Sequence, residues 1–232
     1  LGSPAMRLSA PRIPPLESNH WNDTAREAMQ PFIKAGSDFN IFKTMTNHPD
    51  LMKRWMVFAN HVLFKQSLAP RERELLILRI GFLCKAGYEW GQHVQVARGY
   101  GMSDDEIRSA KSGPSTPGIS ELDRLLLQAT DELHADAFVS EVTWKALEKH
   151  LSTQQLMDLV FTVGQYNLVS MALNSFGVQP DEGLPGWEIR DADHHLVRAT
   201  SLAPTRTVKG YQPFECEPSH IGCLAVALQP QK

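Results

Sequence analysis

Three cysteines in 232 residues, Cys84, Cys216 and Cys223, are too few for a disulfide scaffold and point to a reducing, cytoplasmic setting. Excess charge of one sign is also lacking. A formal net charge of −3 leaves no basic footprint, so no nucleic-acid partner is expected. The best apolar run is interrupted by Arg79, short of the ~20 residues that a membrane helix needs, and no membrane association is expected. Arg7, Pro11, Arg12, Pro14 and Pro15 stand where a signal peptide would carry its apolar centre, which again favours the cytoplasm. Strong strand alternation is absent before residue 190. What remains, 42% hydrophobic and 21% charged residues, is the balance of a soluble globular protein with one well-buried domain.

The periodicity is helical almost throughout. A helix is expected over about 23–33, with Asp23 and Thr24 as candidate caps. From Pro49, the apolar residues Leu51, Trp55, Phe58 and Val62 recur at i, i+4, i+7 and i+11. Ser103 with Glu106, and Ser152 with Gln155, have capping-box spacing, and Gly177 suits the end of the last helix. Ser120 and a position near Ser140 open two further helices. The fold class is therefore all-α: a bundle of seven or eight helices over about residues 7–190. Residues 191–232 form an irregular C-terminal extension.

The stretch from Pro70 to Gly101 holds the candidate chemistry. Leu75, Leu76, Ile77, Leu78, Ile80 and Phe82 make its first helix apolar nearly all round, the pattern of a buried helix. Glu74 begins that run, so its carboxylate is expected to face inward. Lys85, Ala86 and Gly87 loosen the chain before a second helix from about Tyr88. On that helix Glu89 and His93 lie four apart, which stacks a carboxylate and an imidazole on one face. A structural reading competes: Glu74 pairing with Arg71 or Arg79, and His93 as an ordinary core histidine. His48 and His61 flank the preceding helix and could reach the site. A faint echo sets Tyr88, Glu89, His93 and Gly99 against Tyr166, Asn167, Met171 and Gly177 at the same spacing.

The segments Arg73-Glu74-Leu75-Leu76-Ile77-Leu78 and Tyr88-Glu89-Trp90-Gly91-Gln92-His93 resemble the carboxymuconolactone decarboxylase and alkylhydroperoxidase D-like family. The resemblance covers residues 49–110 well, 20–190 loosely and the tail not at all. It implies an alkylhydroperoxidase D-like helical bundle that assembles into homo-oligomers, trimers or larger; Tyr88 and Trp90 are read as packing residues, with a subunit contact as the alternative. In the peroxidase branch a glutamate precedes a C-x-x-C-x-x-x-H motif. Aligned on His93, that motif puts Glu74 on the glutamate but Ala86 and Glu89 on the two cysteines. A thiol route needs an attacking and a resolving sulfur. Only Cys84 is nearby, two residues before the first position.

The decarboxylase branch implies acid/base chemistry without a metal or organic cofactor. Its substrate would be a small carboxylated or lactone-like metabolite, with His93 as general acid/base and Glu74 or Glu89 tuning it. Two alternatives stand beside it: a thiol-dependent antioxidant protein using Cys84, and a non-catalytic ligand-binding protein. In the tail, Cys216, His220 and Cys223, with His194 and His195, match no common zinc spacing, and no metal is expected. The apolar run 221–228 is expected to pack against the body or a neighbouring subunit.

Overall fold

The computed structural model describes residues 6–184, which fold into nine α-helices and a 3₁₀ turn at Ser18–His20. The helices are α1 (Asp23–Lys34), α2 (Asn40–Met45), α3 (Pro49–Phe64), α4 (Pro70–Leu83), α5 (Gly87–Gly99), α6 (Asp104–Ser112), α7 (Glu121–Asp136), α8 (Glu141–Leu147) and α9 (Thr153–Phe176). The all-α expectation holds. The expected domain boundary after residue 190 and the tail's Cys216, His220 and Cys223 lie outside the described residues.

Helix α4 is the axis of the bundle, packed on α5, α6, α7 and α9. That position explains its composition: Leu75, Leu76, Ile77, Leu78 and Ile80 are all fully buried. Its two outer arginines reach away from the site. Arg71 pairs with Asp123 and Glu106, and Arg79 grips Asp131 and the carbonyls of Ala110 and Lys111.

Between α4 and α5 the chain turns through a Schellman motif. The Ala86 N–H donates to the Gly81 carbonyl and the Lys85 N–H to that of Phe82, both at 2.9 Å. The left-handed residue is Lys85, at φ 54°, although Gly87 is two positions away. For a residue with a Cβ this conformation costs roughly 1–2 kcal/mol. Gly81 then lets α5 lie close: a Cβ there would sit 3.5 Å from Glu89 Cγ, so any longer side chain would displace that carboxylate.

Several caps are as expected. Ser103–Glu106 and Ser152–Gln155 form complete capping boxes, Ser120 and Ser140 cap α7 and α8, and Gly177 ends α9 at φ 71°. Helix α1 differs: its cap is Asn22, whose side chain accepts from the Ala25 N–H, and not Asp23 or Thr24. Helix α2 is additional; six residues long and led by Phe39 without a side-chain cap, it carries no start signal in the sequence.

The expectation that no segment is long and apolar enough to cross a membrane is corrected by α9. By length and composition this 24-residue helix qualifies, its most apolar 18-residue window having a mean hydropathy of 1.2, as the core helix of a soluble protein also can. Half of that window is buried inside the bundle, and Thr162, Gln165 and Ser170 are among its buried residues.

The two ends of the described chain meet beside α9. Arg12 and Ile13 N–H groups donate to the Phe176 carbonyl, and Gln179 reaches the Leu8 carbonyl. Just beyond, Asp181 accepts from the Tyr88 hydroxyl at 2.5 Å, the Gln92 amide at 2.9 Å and the Asn40 N–H at 2.9 Å.

Candidate active site

Helix α4 supplies Glu74, and α5 supplies Glu89 and His93 one turn apart. His93 Nδ1 lies 2.6 Å from Glu74 Oε2, and its Nε2 lies 3.1 Å from Glu89 Oε1. On the far side of Glu74, Arg73 Nε donates to Oε1 at 3.0 Å, while its guanidinium stacks 5.0 Å above the Tyr100 ring. The four groups form a buried row in alternating charge: Arg73, Glu74, His93, Glu89.

That row decides the protonation state. A neutral imidazole donates from one nitrogen only, whereas the cation donates from both. With a carboxylate at each nitrogen, the cation is the form that satisfies the site. Burial by itself disfavours the charge, but the fields of Glu74 and Glu89 and the hydrogen bond to Glu74 outweigh it, and His93 is pushed up to about 9. Burial raises Glu74, yet His93 and Arg73 more than offset this and hold its carboxyl below the usual range.

His93 and Glu89 stand on the wall of a partly open cavity of about 40 Å³, whereas Glu74 does not line it. Glu74 thus anchors the imidazole from behind the wall to which His93 and Glu89 belong. Phe42 from α2, Trp55 and Leu63 from α3, and Gln165 and Tyr166 from α9 complete much of the wall. Tyr166 meets the imidazole edge-on at 5.0 Å between ring centres. Burial first, then the charges of Glu89 and Glu74, raise its phenol well above the ordinary range, so it stays protonated. Glu89 Oε1 is within ion-pair distance of His93 but lacks an aligned hydrogen bond, as does the buried Trp55 Nε1–H.

The structure brings Glu74, Glu89 and His93 together. It corrects the competing assignment for Glu74, whose partners are Arg73 and His93 and not Arg71 or Arg79. Tyr88 and Trp90 are buried at 1% and 0% exposure, as packing residues and not as subunit contacts. His48 caps α3 by accepting from the Leu51 N–H, and neither it nor His61 lines the cavity. Sequence reasoning missed Arg73, Trp55 and Gln165. Tyr166 was visible only as the partner of Tyr88 in the internal echo.

Cys84 ends α4 and does not line the cavity. Its Sγ lies 3.0 Å from Asn167 Oδ1 and 3.8 Å from His134 Nδ1. Burial raises the thiol against the lowering effects of Ser170 and Arg7, which reduces the thiolate available for attack. Peroxidase turnover with a dithiol reductant is therefore expected to be at background, and Cys84→Ser is expected to leave it there. A coupled assay on both proteins checks this, and robust turnover abolished by the substitution would restore the thiol reading. Among the described residues, no group of three or more His, Cys, Asp or Glu is placed to hold a metal.

Solved structures share this fold. The alkylhydroperoxidase AhpD core of a peroxidase-related protein from Ralstonia eutropha JMP134 superposes with a TM-score of 0.65 at 20% identity, covering 74% of this chain and 93% of that one. A peroxidase-related protein from Silicibacter sp. TM1040 gives 0.62 at 16% identity, with 76% and 92% covered. The debrominase Bmp8, as a Cys-to-Ala variant in complex with 2,3,4-tribromopyrrole, gives 0.57 at 14% identity, with 73% and 91% covered. The fold is thus AhpD-like. Residues 49–113, which run from α3 through α6 and carry Glu74, Glu89 and His93, match the Carboxymuconolactone decarboxylase family. The family match is confined to that segment, and beyond it the likeness is one of fold. No curated protein matches the sequence at a significant level.

Proposed function

We propose that the chain is a cofactor-independent lyase or isomerase acting on a small carboxylated or lactone-like metabolite, with His93 as the general acid/base. The observation that carries this reading is the imidazole held by Glu74 and Glu89 at the wall of a cavity. In a decarboxylation, the C–C bond to the carboxylate breaks and its electron pair moves into a conjugated carbonyl. The imidazolium then protonates the far carbon, carbon dioxide leaves, and solvent returns one proton to His93. In an isomerisation, a proton leaves one carbon of the conjugated system and another is delivered further along it, with no net exchange of electrons. Both routes need a positioned acid of tuned pKa, and general acid/base groups contribute roughly 10²–10⁴ in rate. The missing C-x-x-C pair weighs against thiol peroxidase chemistry, and the scarce cysteines favour action in the cytoplasm.

The test is a screen of conjugated lactones and vinylogous acids for carbon dioxide release or for deuterium uptake from D₂O. The expected result is at least one compound turned over by the chain and not by His93→Ala. Turnover that is equal in both proteins would sink the assignment.

Assembly belongs to the same proposal. Leu51, Val57 and Phe58 on α3 and Met157, Phe161, Leu168 and Met171 on α9 are large, apolar and exposed. Phe58 and Phe161 meet edge to face at 6.0 Å, which joins the two helices into one patch of the kind that marks an interaction surface. Sedimentation equilibrium at micromolar concentration is expected to show a trimer or larger. A clean species at the chain mass of 26.0 kDa would count against it.

A further inference from the structure

We propose that helix α9 is the seat of a second copy of this chain, whose own α9 runs antiparallel to it about a two-fold axis at the level of Tyr166. This rests on the assembly part of the preceding reading, and within it selects even-numbered assemblies, because such a contact joins chains in pairs.

The first observation is the pattern of exposure. From Met157 to Ser175 the exposed residues of α9 are Met157, Phe161, Gly164, Leu168, Met171 and Ser175, and no others. Their spacing alternates between four and three. That is the narrow seam along which two helices pack, and not the broad polar face that a helix turns to water. No charged residue occurs on α9 after Asp158, and Asp158 is itself held by the Ser67 N–H and hydroxyl. The centres of protein interfaces are likewise poor in charge and rich in Met and Phe.

The second observation is Gly164. A glycine in the middle of a 24-residue helix weakens it, yet a Cβ at this position would meet no described atom within 4 Å. The described fold of one chain therefore has no use for it. A facing helix does, because a missing side chain leaves a hole for a knob from the partner. The seam reads the same in both directions, so an antiparallel copy centred on Tyr166 sets Leu168 of one chain over Gly164 of the other. Phe161 then meets Met171, and Met157 meets Ser175. Small positions face large ones at both ends, as close packing requires.

The third observation is area. Met157, Phe161, Leu168 and Met171, each about half exposed, together with Phe58 of α3, which meets Phe161 edge to face, present roughly 500 Å² per copy and about 1,000 Å² per pair, the level that a specific interface clears.

The experiment is sedimentation equilibrium of the full chain over a micromolar concentration series at low ionic strength. The wild type is expected to assemble in an even number of chains. Phe161→Asp and Met171→Lys should each weaken association at least tenfold, and the two together should regain at least tenfold over either alone. Only an antiparallel second copy brings these positions together; ten residues apart on one helix, about 15 Å, they cannot pair within a chain. Gly164→Leu should also weaken association at least tenfold, while circular dichroism shows helix content unchanged or increased. This variant decides the matter if either charged variant fails to fold. An odd-numbered assembly overturns the proposal, as does a double variant no better than the singles. Single variants that keep the wild-type mass also overturn it, the result expected if residues 221–228 of the same chain or a different protein cover this face. The two readings fail separately. A wild type that stops at a dimer and dissociates in Gly164→Leu keeps this inference and removes the trimer or larger assembly; a trimer insensitive to all three substitutions does the reverse, and a monomer removes both.

Discussion

His93→Ala is expected to lower kcat by roughly 10²–10⁴ on any substrate the screen identifies, the loss that follows removal of a general acid/base. The expectation follows from where the imidazole stands. Glu74 fixes Nδ1 from inside the protein, Glu89 lies beside Nε2, and His93 lines the cavity. His93→Gln, closer in volume and still able to hydrogen-bond, should be almost as inactive, because a proton of suitable pKa is what has been lost. Single-turnover kinetics on the three proteins check this. Near wild-type turnover in His93→Gln would mean that the side chain only shapes the pocket.

The second large effect concerns stability. Glu74→Ala removes the shared anion between Arg73 and His93 and leaves a buried guanidinium without its partner, a change of the kind that costs about 3–5 kcal/mol. The pH dependence separates this loss from that of simple packing. His93 has a folded-state pKa raised from 6.5 to about 9, so its ion pairing stabilises fully below about pH 6.5 and fades as pH climbs through about 9. Glu74 is lowered, so its contribution is present above the ordinary carboxylate range and is lost as pH falls through the depressed value. Urea titrations of the wild type should therefore show stability falling between about pH 6.5 and 9, and in Glu74→Gln that slope should flatten. An unchanged slope in the variant would show that Glu74 does not hold the proton on His93.

The contrast between these two residues and the rest of the wall shows what the sequence could reveal. Glu89 and His93 share one helix, and i, i+4 spacing settles their contact without knowledge of the fold. Glu74 was legible for a different reason. An acid opening a helix apolar on every side has nowhere to point but inward, although the partner chosen there, Arg73 and not Arg71 or Arg79, depends on α6 and α7 taking the other two. Gln165 and Trp55 carried no signal at all. Each sits in an ordinary amphipathic or apolar helix, and only the packing of α3 against α9 turns them toward a common space. Helix α2, whose Phe42 closes that space, was equally silent, because six residues without a cap have neither period nor boundary. Helix α9 was misjudged in another respect: Arg79 drew attention to the wrong apolar run.

The Asp181 clasp gives the site an uneven history within a single folding event. The pair at its centre, Glu74 and His93, is separated by only 19 residues, so it closes a short loop and can form as soon as α4 and α5 turn on each other. The rim is of high contact order. Asp181 reaches Tyr88 across 93 residues and Asn40 across 141, contacts whose closure entropy is offset only after the intervening helices are in place. On the ribosome the same asymmetry becomes an order in time. Both partners of the acid/base pair have been synthesised while α9 is still unmade, and Gln165, Tyr166 and Asp181 arrive with the last stretch of the described chain.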